Sequence, residues 1–194
     1  IIPYARGKVR SRKLENIIQE VEALAKKDVK EIILTGIHIA SYGKDFKEDV
    51  RLIDILEQLN KIEGLERIRL GSLEPTLITE EFVNRLKKLK KVCNHFHLSL
   101  QSACNETLKR MNRRYTIEEF KSCVNLLREN FEEVVLTTDI IVGFPGEIEE
   151  EFNITYKNLQ EINFYKMHVF KYSKRNGTKA AEMPNQIDGN IQEE

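Results

Sequence analysis

The residues of this chain that could do chemistry stand where predicted β-strands end. They are mostly small, hydroxyl-bearing or amide-bearing, in five segments: 35–36 (TG), 71–75 (GSLEP), 101–102 (QS), 143–147 (GFPGE) and 171–173 (KYS). Such groups offer hydrogen bonds and allow a ligand to approach the backbone closely. The chain has no Ser-His-Asp order, no phosphate-binding GxxxxGKS/T loop and no cluster with metal-ligand spacing. The residues alone indicate binding, and they identify no catalytic residue and no metal ligand.

These segments are positioned by strands that alternate with helices. Apolar runs predict strands at 31–36, 67–73, 96–101, 134–143 and 166–172, and helical periodicity predicts helices at 14–27, 52–62, 79–91, 116–130 and 147–162. Alternation of this kind is typical of right-handed βα units around a parallel sheet. Because ligands of parallel α/β folds meet the carboxyl ends of the strands, we expect the five segments along one edge.

Two parallel architectures compete, a doubly wound sheet and a barrel, and the pattern within the strands favours the second. In the third and fourth strands one face carries polar or small residues: His95, His97, Ser99 and Gln101, then Thr137, Asp139 and Gly143. A closed eight-stranded barrel fills its lumen with branched apolar side chains. The polar face therefore predicts an open, incomplete (β/α) barrel that holds a polar ligand. Asp139 is predicted to pair with His97 or Thr137, and His38, after a strand end, is given no role.

The composition is that of one soluble globular domain. The 194 residues include 31 basic and 31 acidic side chains, so no overall field attracts nucleic acid, and RNA binding would need local patches. No apolar run approaches the roughly 20 residues that span a bilayer. Cys93, Cys104 and Cys123 lack CxxC or CxxxCxxC spacing, and we interpret them as reduced thiols of a cytoplasmic protein.

Basic residues gather in four clusters, three of which border strand ends. The cluster at 85–91 lies on a predicted helix and is most simply a solvated face. The clusters at 6–13, 109–114 and 171–175 are candidates for phosphate contacts, with ordinary surface charge as an equal alternative for each. The residues that we assign to substrate binding are Arg6, Arg10, Arg12, Arg113, Arg114, Lys171 and Arg175.

Five groups of residues, in order, resemble one family, the radical S-adenosylmethionine methylthiotransferases. They are 2–12 (IPYARGKVRSR), 34–43 (LTGIHIASYG), 71–75 (GSLEP), 100–113 (LQSACNETLKRMNR), and 139–147 (DIIVGFPGE) with 172–178 (YSKRNGT). The resemblance identifies residues 1–181 as a partial radical SAM barrel of parallel strands whose first strand is missing. Residues 182–194 are expected to be a linker or a disordered tail. We interpret the first twelve residues, interrupted by Pro3 and Gly7, as a loop that follows an upstream segment.

The resemblance also implies cofactors and a reaction. Three cysteines upstream of Ile1 would hold a [4Fe–4S] cluster that binds S-adenosylmethionine, and a radical would abstract hydrogen from an adenine carbon in tRNA, where a methylthio group is installed. A second cluster in a separate domain would supply sulfur, and the electron donor lies outside what the residues indicate. This fragment alone is expected to be inactive. The implied cofactor contacts are Gly36, Ser72, Glu74, Gln101, Ile141, Gly143 and Phe170.

Within the family, His38 and the string 72–75 resemble the branch that modifies threonylcarbamoyladenosine beside the anticodon. The branches that act on isopentenyladenosine and on a ribosomal protein are the alternatives. Outside the family, a non-catalytic RNA- or ribosome-binding module on a degenerate barrel remains open. An ordinary barrel lyase or aldolase is disfavoured, because no strand end carries a convincing lysine nucleophile or carboxylate pair.

Overall fold

Five strands and eight α-helices lie along residues 2–192, the part of the chain that the computed structural model describes, and each strand is followed by at least one helix. The strands are Glu31–Leu34 (β1), Arg67–Leu70 (β2), His95–Gln101 (β3), Val135–Val142 (β4) and Lys166–Lys171 (β5). The helices are Ile2–Arg6 (α1), Leu14–Ala25 (α2), Leu52–Leu59 (α3), Glu80–Leu86 (α4), Asn105–Arg110 (α5), Ile117–Asn130 (α6), Glu149–Ile162 (α7) and Lys179–Glu182 (α8). Each of the five predicted strands and five predicted helices is present, with shorter bounds except for β3, which begins one residue earlier than predicted.

The strands form two parallel sheets, β1-β2 and β3-β4-β5, which isolated bridges join into one open array. β1 pairs with β2, and β3, β4 and β5 pair in turn, all in parallel. Leu73, just after β2, joins the two groups, because its amide donates to His97 O at 2.8 Å and its carbonyl accepts from Ser99 N at 2.9 Å. Within the described residues no strand closes β1 onto β5. The predicted α/β fold with an incomplete parallel barrel is confirmed.

The core lies between the helices and one face of the sheet. Phe96, Leu98 and Leu100 alternate along β3 and are fully buried, while the polar residues between them are partly exposed. This is the period of two expected for a strand with one apolar face. Burial of the apolar face is what stabilises the sheet, at about 25 cal/mol per Å² of apolar surface removed from water.

Two helix starts follow local capping chemistry. Thr116 Oγ1 accepts from Glu119 N at 3.2 Å, and the Glu119 carboxylate accepts from Thr116 N at 2.8 Å, which together form the capping box of α6. Thr79 likewise caps α4, accepting from Phe82 N at 3.2 Å. Each cap satisfies amides that a helix leaves without an internal partner.

The interpretation of the first twelve residues as a loop was wrong in part. Ile2–Arg6 form the short helix α1, which a proline in the first turn permits, since its missing N–H has no helical partner there. Ile1 and residues 193–194 lie outside the described residues. The short helix α5 was not predicted, because six residues are too few to show helical periodicity.

Candidate functional site

The polar face of the sheet is built around the imidazole of His97. Its Nε2 lies 3.2 Å from Asp139 Oδ2, and its Nδ1 lies 3.0 Å from Thr137 Oγ1. The ring of His168 on β5 is the next neighbour, with ring centroids 6.3 Å apart. The predicted pairing of Asp139 with His97 is confirmed, and the open face of the sheet is polar around His97 as expected, while Phe170 adds an exposed ring beside His168.

The ends of β1 and β2 are tied together by His38. Its Nε2 lies 2.7 Å from Glu74 Oε1, and its Nδ1 lies 2.7 Å from Ser41 Oγ. Both ring nitrogens are therefore engaged, and Glu74 is held beside the loop that carries Gly36. This contact joins two of the five segments that the sequence placed along one edge.

A cavity of about 960 Å³ opens beside the outer edge of β1. Its lining includes Gly36 and His38 from the strand end and Arg6, Arg10 and Arg12 from the N-terminal segment. All three arginines are exposed, and Arg12 forms an ion pair with Glu20. The cavity thus brings part of the predicted cofactor set next to the first predicted basic cluster.

The end of β3 departs from regular geometry. Gln101 has φ of 70°, which is uncommon for a residue other than glycine, and the register against β4 shifts between Leu98 and Gln101. The hydroxyl of Tyr115 donates towards Ser99 O at 2.6 Å and Leu100 O at 3.0 Å. Burial raises the pKa of Tyr115 to about 12.

The loop after β4 folds around its own glutamate. The Glu147 carboxylate accepts from Gly143 N at 2.6 Å and from Phe144 N at 3.3 Å. Burial raises the pKa of Glu147, although the two amides act in the opposite direction. The C-terminal tail contacts the same loop, because Gly146 N donates to Asn185 O at 2.9 Å and Gln192 Nε2 to Gly143 O at 3.2 Å.

The structure brings the predicted cofactor residues to one edge of the sheet. Ile141 and Phe170 are register partners in β4 and β5, and Gly143 follows them. Glu74, Gln101 and Ile141 are half-buried, Gly143 is buried, and the remaining three are exposed: Gly36, Ser72 and Phe170.

The predicted basic residues are more scattered. The N-terminal arginines lie by β1, whereas Lys171 ends β5 at the opposite side of the sheet and Arg175 lies beyond it. Arg114 is exposed and Arg113 is half-buried. Among the described residues, Arg113 Nε has no hydrogen-bond partner although it is buried. A half-buried guanidinium of this kind suits an anionic ligand.

One strong ion pair near the site was not anticipated. Arg110, which the sequence placed in a basic cluster, pairs with Glu151 of α7, with Nη1 3.0 Å from Oε1. Thr107 Oγ1 also donates to Glu151, at 3.2 Å. The pair joins α5 to α7 behind the 143–147 loop, so Arg110 has a structural partner. No short-range pattern signals a contact across 41 residues.

The cysteines do not fit an iron–sulfur cluster. Cluster ligands are thiolates, yet burial raises the pKa of Cys104 and of Cys123. Cys104 donates its thiol to Glu106 Oε2 at 3.1 Å. No three His, Cys, Asp or Glu side chains stand together as a metal site in the part of the chain that the structure describes.

Residues 1–159 match the Radical SAM superfamily. The chain belongs to this superfamily. Two curated relatives are each 46% identical across the whole chain: the tRNA-2-methylthio-N(6)-dimethylallyladenosine synthase of Thermoanaerobacter sp. (strain X514) and the threonylcarbamoyladenosine tRNA methylthiotransferase MtaB of Bacillus subtilis (strain 168). The chain spans 41% and 43% of their lengths. The resemblance to radical SAM methylthiotransferases is confirmed.

Solved structures support the fold. The radical S-adenosylmethionine methyltransferase TsrM from Kitasatospora setae superimposes with a TM-score of 0.67 at 18% identity, over 85% of this chain and 31% of that one. Coproporphyrinogen III oxidase (HemN) from Escherichia coli gives 0.63 at 19% identity, over 94% and 43%. None of the helices in residues 2–192 is both long and apolar enough to cross a lipid bilayer.

Membership of the superfamily implies two cofactors, S-adenosylmethionine and a [4Fe–4S] cluster. Residues 2–192 of this chain suit the first and not the second. The strand ends suit the first, because they offer the carboxylate of Glu74 and the amide of Gln101, and the connection from α5 to α6 adds the half-buried guanidinium of Arg113. The described residues offer no ligand set for the second.

Proposed function

We propose that this chain is the central part of a tRNA methylthiotransferase that acts on threonylcarbamoyladenosine beside the anticodon. The observation that carries the proposal is the 46% identity, over the whole chain, with two proteins named as tRNA-modifying enzymes of this kind. The polar strand edge supports it, since it presents hydrogen-bonding groups that suit a polar cofactor. We expect a cytoplasmic location because the proposed substrate is tRNA.

The residues along the strand edge would hold S-adenosylmethionine. Glu74 and Gln101 suit the polar groups of its methionine part, near Ser72 and Gly36, while Ile141, Gly143 and Phe170 suit its adenine. When bound, the cofactor and a reduced [4Fe–4S] cluster supply one-electron radical chemistry. The ligands of the cluster are proposed to come from outside residues 1–194. We therefore expect this polypeptide to be inactive when it is produced alone.

The basic residues would contact tRNA phosphates. Arg6, Arg10 and Arg12 surround the cavity beside β1, and the other assigned residues lie at or beyond the carboxyl ends of strands: Arg113, Arg114, Lys171 and Arg175. Contacts of this type release counterions, so the affinity for tRNA should fall steeply with salt. Arg113 differs from the other assigned residues because it is half-buried. Its guanidinium is therefore also a candidate contact for the carboxylate of S-adenosylmethionine.

A second substrate has a specific observation in its favour. The relative from Thermoanaerobacter carries dimethylallyladenosine in its name and is as similar to this chain as the relative from Bacillus subtilis. Our preference for threonylcarbamoyladenosine rests on His38 and on residues 72–75. The 2.7 Å contact between His38 Nε2 and Glu74 Oε1 supports this preference, because it holds the imidazole at the strand ends where we propose that the substrate binds.

The test uses the full-length protein that carries this chain, reconstituted anaerobically with iron and sulfide. It is incubated with S-adenosylmethionine, a reductant and tRNA that bears either modified adenosine, and the nucleosides are analysed by mass spectrometry. We expect a methylthio derivative of threonylcarbamoyladenosine. A product only from dimethylallyladenosine would support the second substrate. Binding of tRNA with no cleavage of S-adenosylmethionine would instead support a non-catalytic RNA-binding module.

A further inference from the structure

Strand β3 contains one residue more than its neighbour just before it ends. Leu98 pairs with Thr138 and Gln101 pairs with Ile140, so three steps along β3 match two steps along β4. This is a β-bulge, a feature that re-aims side chains and is common next to active sites. Gln101 leaves the bulge with φ of 70°. A non-glycine residue keeps this strained conformation only where its surroundings impose it.

One threonine hydroxyl on β4 forms hydrogen bonds to the backbone of the bulge. Thr138 Oγ1 donates to Leu98 O at 2.6 Å and accepts from Leu100 N at 3.2 Å. Thr138 is fully buried. The hydroxyl therefore contacts both a carbonyl and an amide within the irregular segment of the ladder.

A tyrosine hydroxyl also forms hydrogen bonds to backbone carbonyls of the bulge. Tyr115 is buried, and its hydroxyl donates towards Ser99 O at 2.6 Å and Leu100 O at 3.0 Å. Because burial raises its pKa to about 12, the phenol keeps its proton at any physiological pH. Together the two hydroxyls contact the carbonyls of three consecutive residues, 98–100.

We propose that Thr138 and Tyr115 are positioning residues, whose hydroxyls hold the β3 bulge in the shape that presents Gln101 to the cofactor. The inference rests on the proposed function, which makes Gln101 a cofactor contact. Within residues 2–192 the side-chain amide of Gln101 has no hydrogen-bond partner, so its donors and acceptor are available to a ligand. A strand without the bulge would place Gln101 opposite Ile141 with extended backbone.

The experiment compares Thr138→Val, Thr138→Ser and Tyr115→Phe with the wild type in the full-length, reconstituted protein. Equilibrium dialysis under anaerobic conditions gives the dissociation constant of S-adenosylmethionine. We expect binding to weaken about tenfold in Thr138→Val and in Tyr115→Phe, and to stay within about twofold in Thr138→Ser, which keeps the hydroxyl. Val83→Ala, a core substitution in α4, lowers stability without touching the bulge and should leave the affinity unchanged.

Two further readouts separate positioning from general destabilisation. Hydrogen exchange at the Leu100 amide should accelerate in Thr138→Val and not in Thr138→Ser, since that amide donates to Thr138. If the effect passes through Gln101, then Thr138→Val in a Gln101→Ala background should weaken binding no further than Gln101→Ala alone. A purely structural role would give additive losses.

The outcomes distinguish this inference from the function on which it rests. A wild-type protein that does not bind S-adenosylmethionine would overturn the proposed function and, with it, the role of the bulge. A wild type that binds it, with Thr138→Val and Tyr115→Phe binding equally well, would overturn the positioning role alone. Should Thr138→Val not fold, Tyr115→Phe and the double variant Tyr115→Phe/Gln101→Ala decide the question in the same way.

Discussion

The imidazole of His38 lies 2.7 Å from the carboxylate of Glu74 and connects the end of β1 to the end of β2. The two side chains are 41% and 32% exposed, so the pair is of the partly solvated kind that adds less than about 1 kcal/mol to stability. Its importance therefore lies in placement. We propose that Glu74 contacts the cofactor and that the loop of His38 distinguishes the two substrates.

Replacement of Glu74 and His38 should separate these two roles. Glu74→Ala is expected to weaken S-adenosylmethionine binding about tenfold, since a polar contact at the strand edge is lost. His38→Asn should leave that affinity within about twofold and change the kcat/KM ratio between the two modified tRNAs by about tenfold. Equilibrium dialysis and single-substrate kinetics measure both. Glu66→Ala, at the other end of β2, is the control, and unchanged cofactor affinity in Glu74→Ala would refute its role.

The Arg110–Glu151 pair should make stability depend on pH in a defined direction. Burial by itself would raise the pKa of Glu151, but the hydrogen bonds and charge of Arg110 outweigh it and hold the pKa below 4.5. A carboxyl whose pKa is lower in the folded state contributes stability above the unfolded value, and this is lost as pH falls through the folded value. Arg110→Met should cost about 3 kcal/mol near pH 7, measured by urea unfolding.

Lowering the pH should then reduce the difference in the free energy of unfolding between the wild type and Arg110→Met. Without Arg110, burial dominates and raises the pKa of Glu151, so the variant's carboxyl takes up a proton more readily and its desolvation is relieved. Lys121→Met, which breaks the more exposed pair with Glu161, is the matched control and should cost much less stability than Arg110→Met. Equal losses in the two variants would contradict the argument.

Much of the fold could be predicted because it depends on residue patterns that are local in the sequence. The alternation of apolar and polar residues in β3 and the capping box at Thr116 both depend on neighbours within a few residues. Strand ends were less accurate. β1 was predicted to reach Gly36 but stops at Leu34, because the backbone turns as soon as the paired residues of β2 end.

The details of the site could not be read from the sequence because they depend on distant partners. The bulge at the end of β3 needs Thr138, 38 residues from Leu100, and the His38–Glu74 pair joins two different strand ends. Gln101 was correctly placed at a strand end, yet nothing in the string LSLQSA indicates an extra residue or a positive φ. The local pattern predicts the strand, whereas hydrogen bonds from residues distant in sequence determine the backbone geometry at its end.

The N-cap residue of helix α7 has no side-chain atom that can accept a hydrogen bond, and a single substitution can supply one. Ile148 occupies the N-cap position with extended backbone and is 56% exposed. Its amide donates to Glu151 Oε2 at 3.3 Å, but its side chain makes no capping hydrogen bond. Ile148→Thr should stabilise the protein by about 1 kcal/mol, because the new hydroxyl can accept from the Glu151 amide at little loss of buried apolar surface. The measurement is the midpoint of urea unfolding. Thr116→Ala, which removes the existing cap of α6, should cost a similar amount, and a loss of stability in Ile148→Thr would contradict the prediction.

Gly143 and Gly177 allow backbone strain to be separated from occupation of the site. Both have positive φ, 69° and 78°, so an alanine at either should cost about 1 kcal/mol in strain. A Cβ on Gly143 would lie 2.4 Å from the side chain of Gln192, whereas one on Gly177 would have no atom within 4 Å.

We therefore expect Gly177→Ala to lower stability and leave the affinity for S-adenosylmethionine unchanged. Gly143→Ala should lower both, because its methyl group occupies space at the end of β4 where the cofactor is proposed to bind. Adding Gln192→Ala should recover the part of the stability lost to crowding, as measured by urea unfolding, without restoring affinity. If Gly143→Ala bound the cofactor as well as Gly177→Ala does, Gly143 would have only the conformational role that its φ requires.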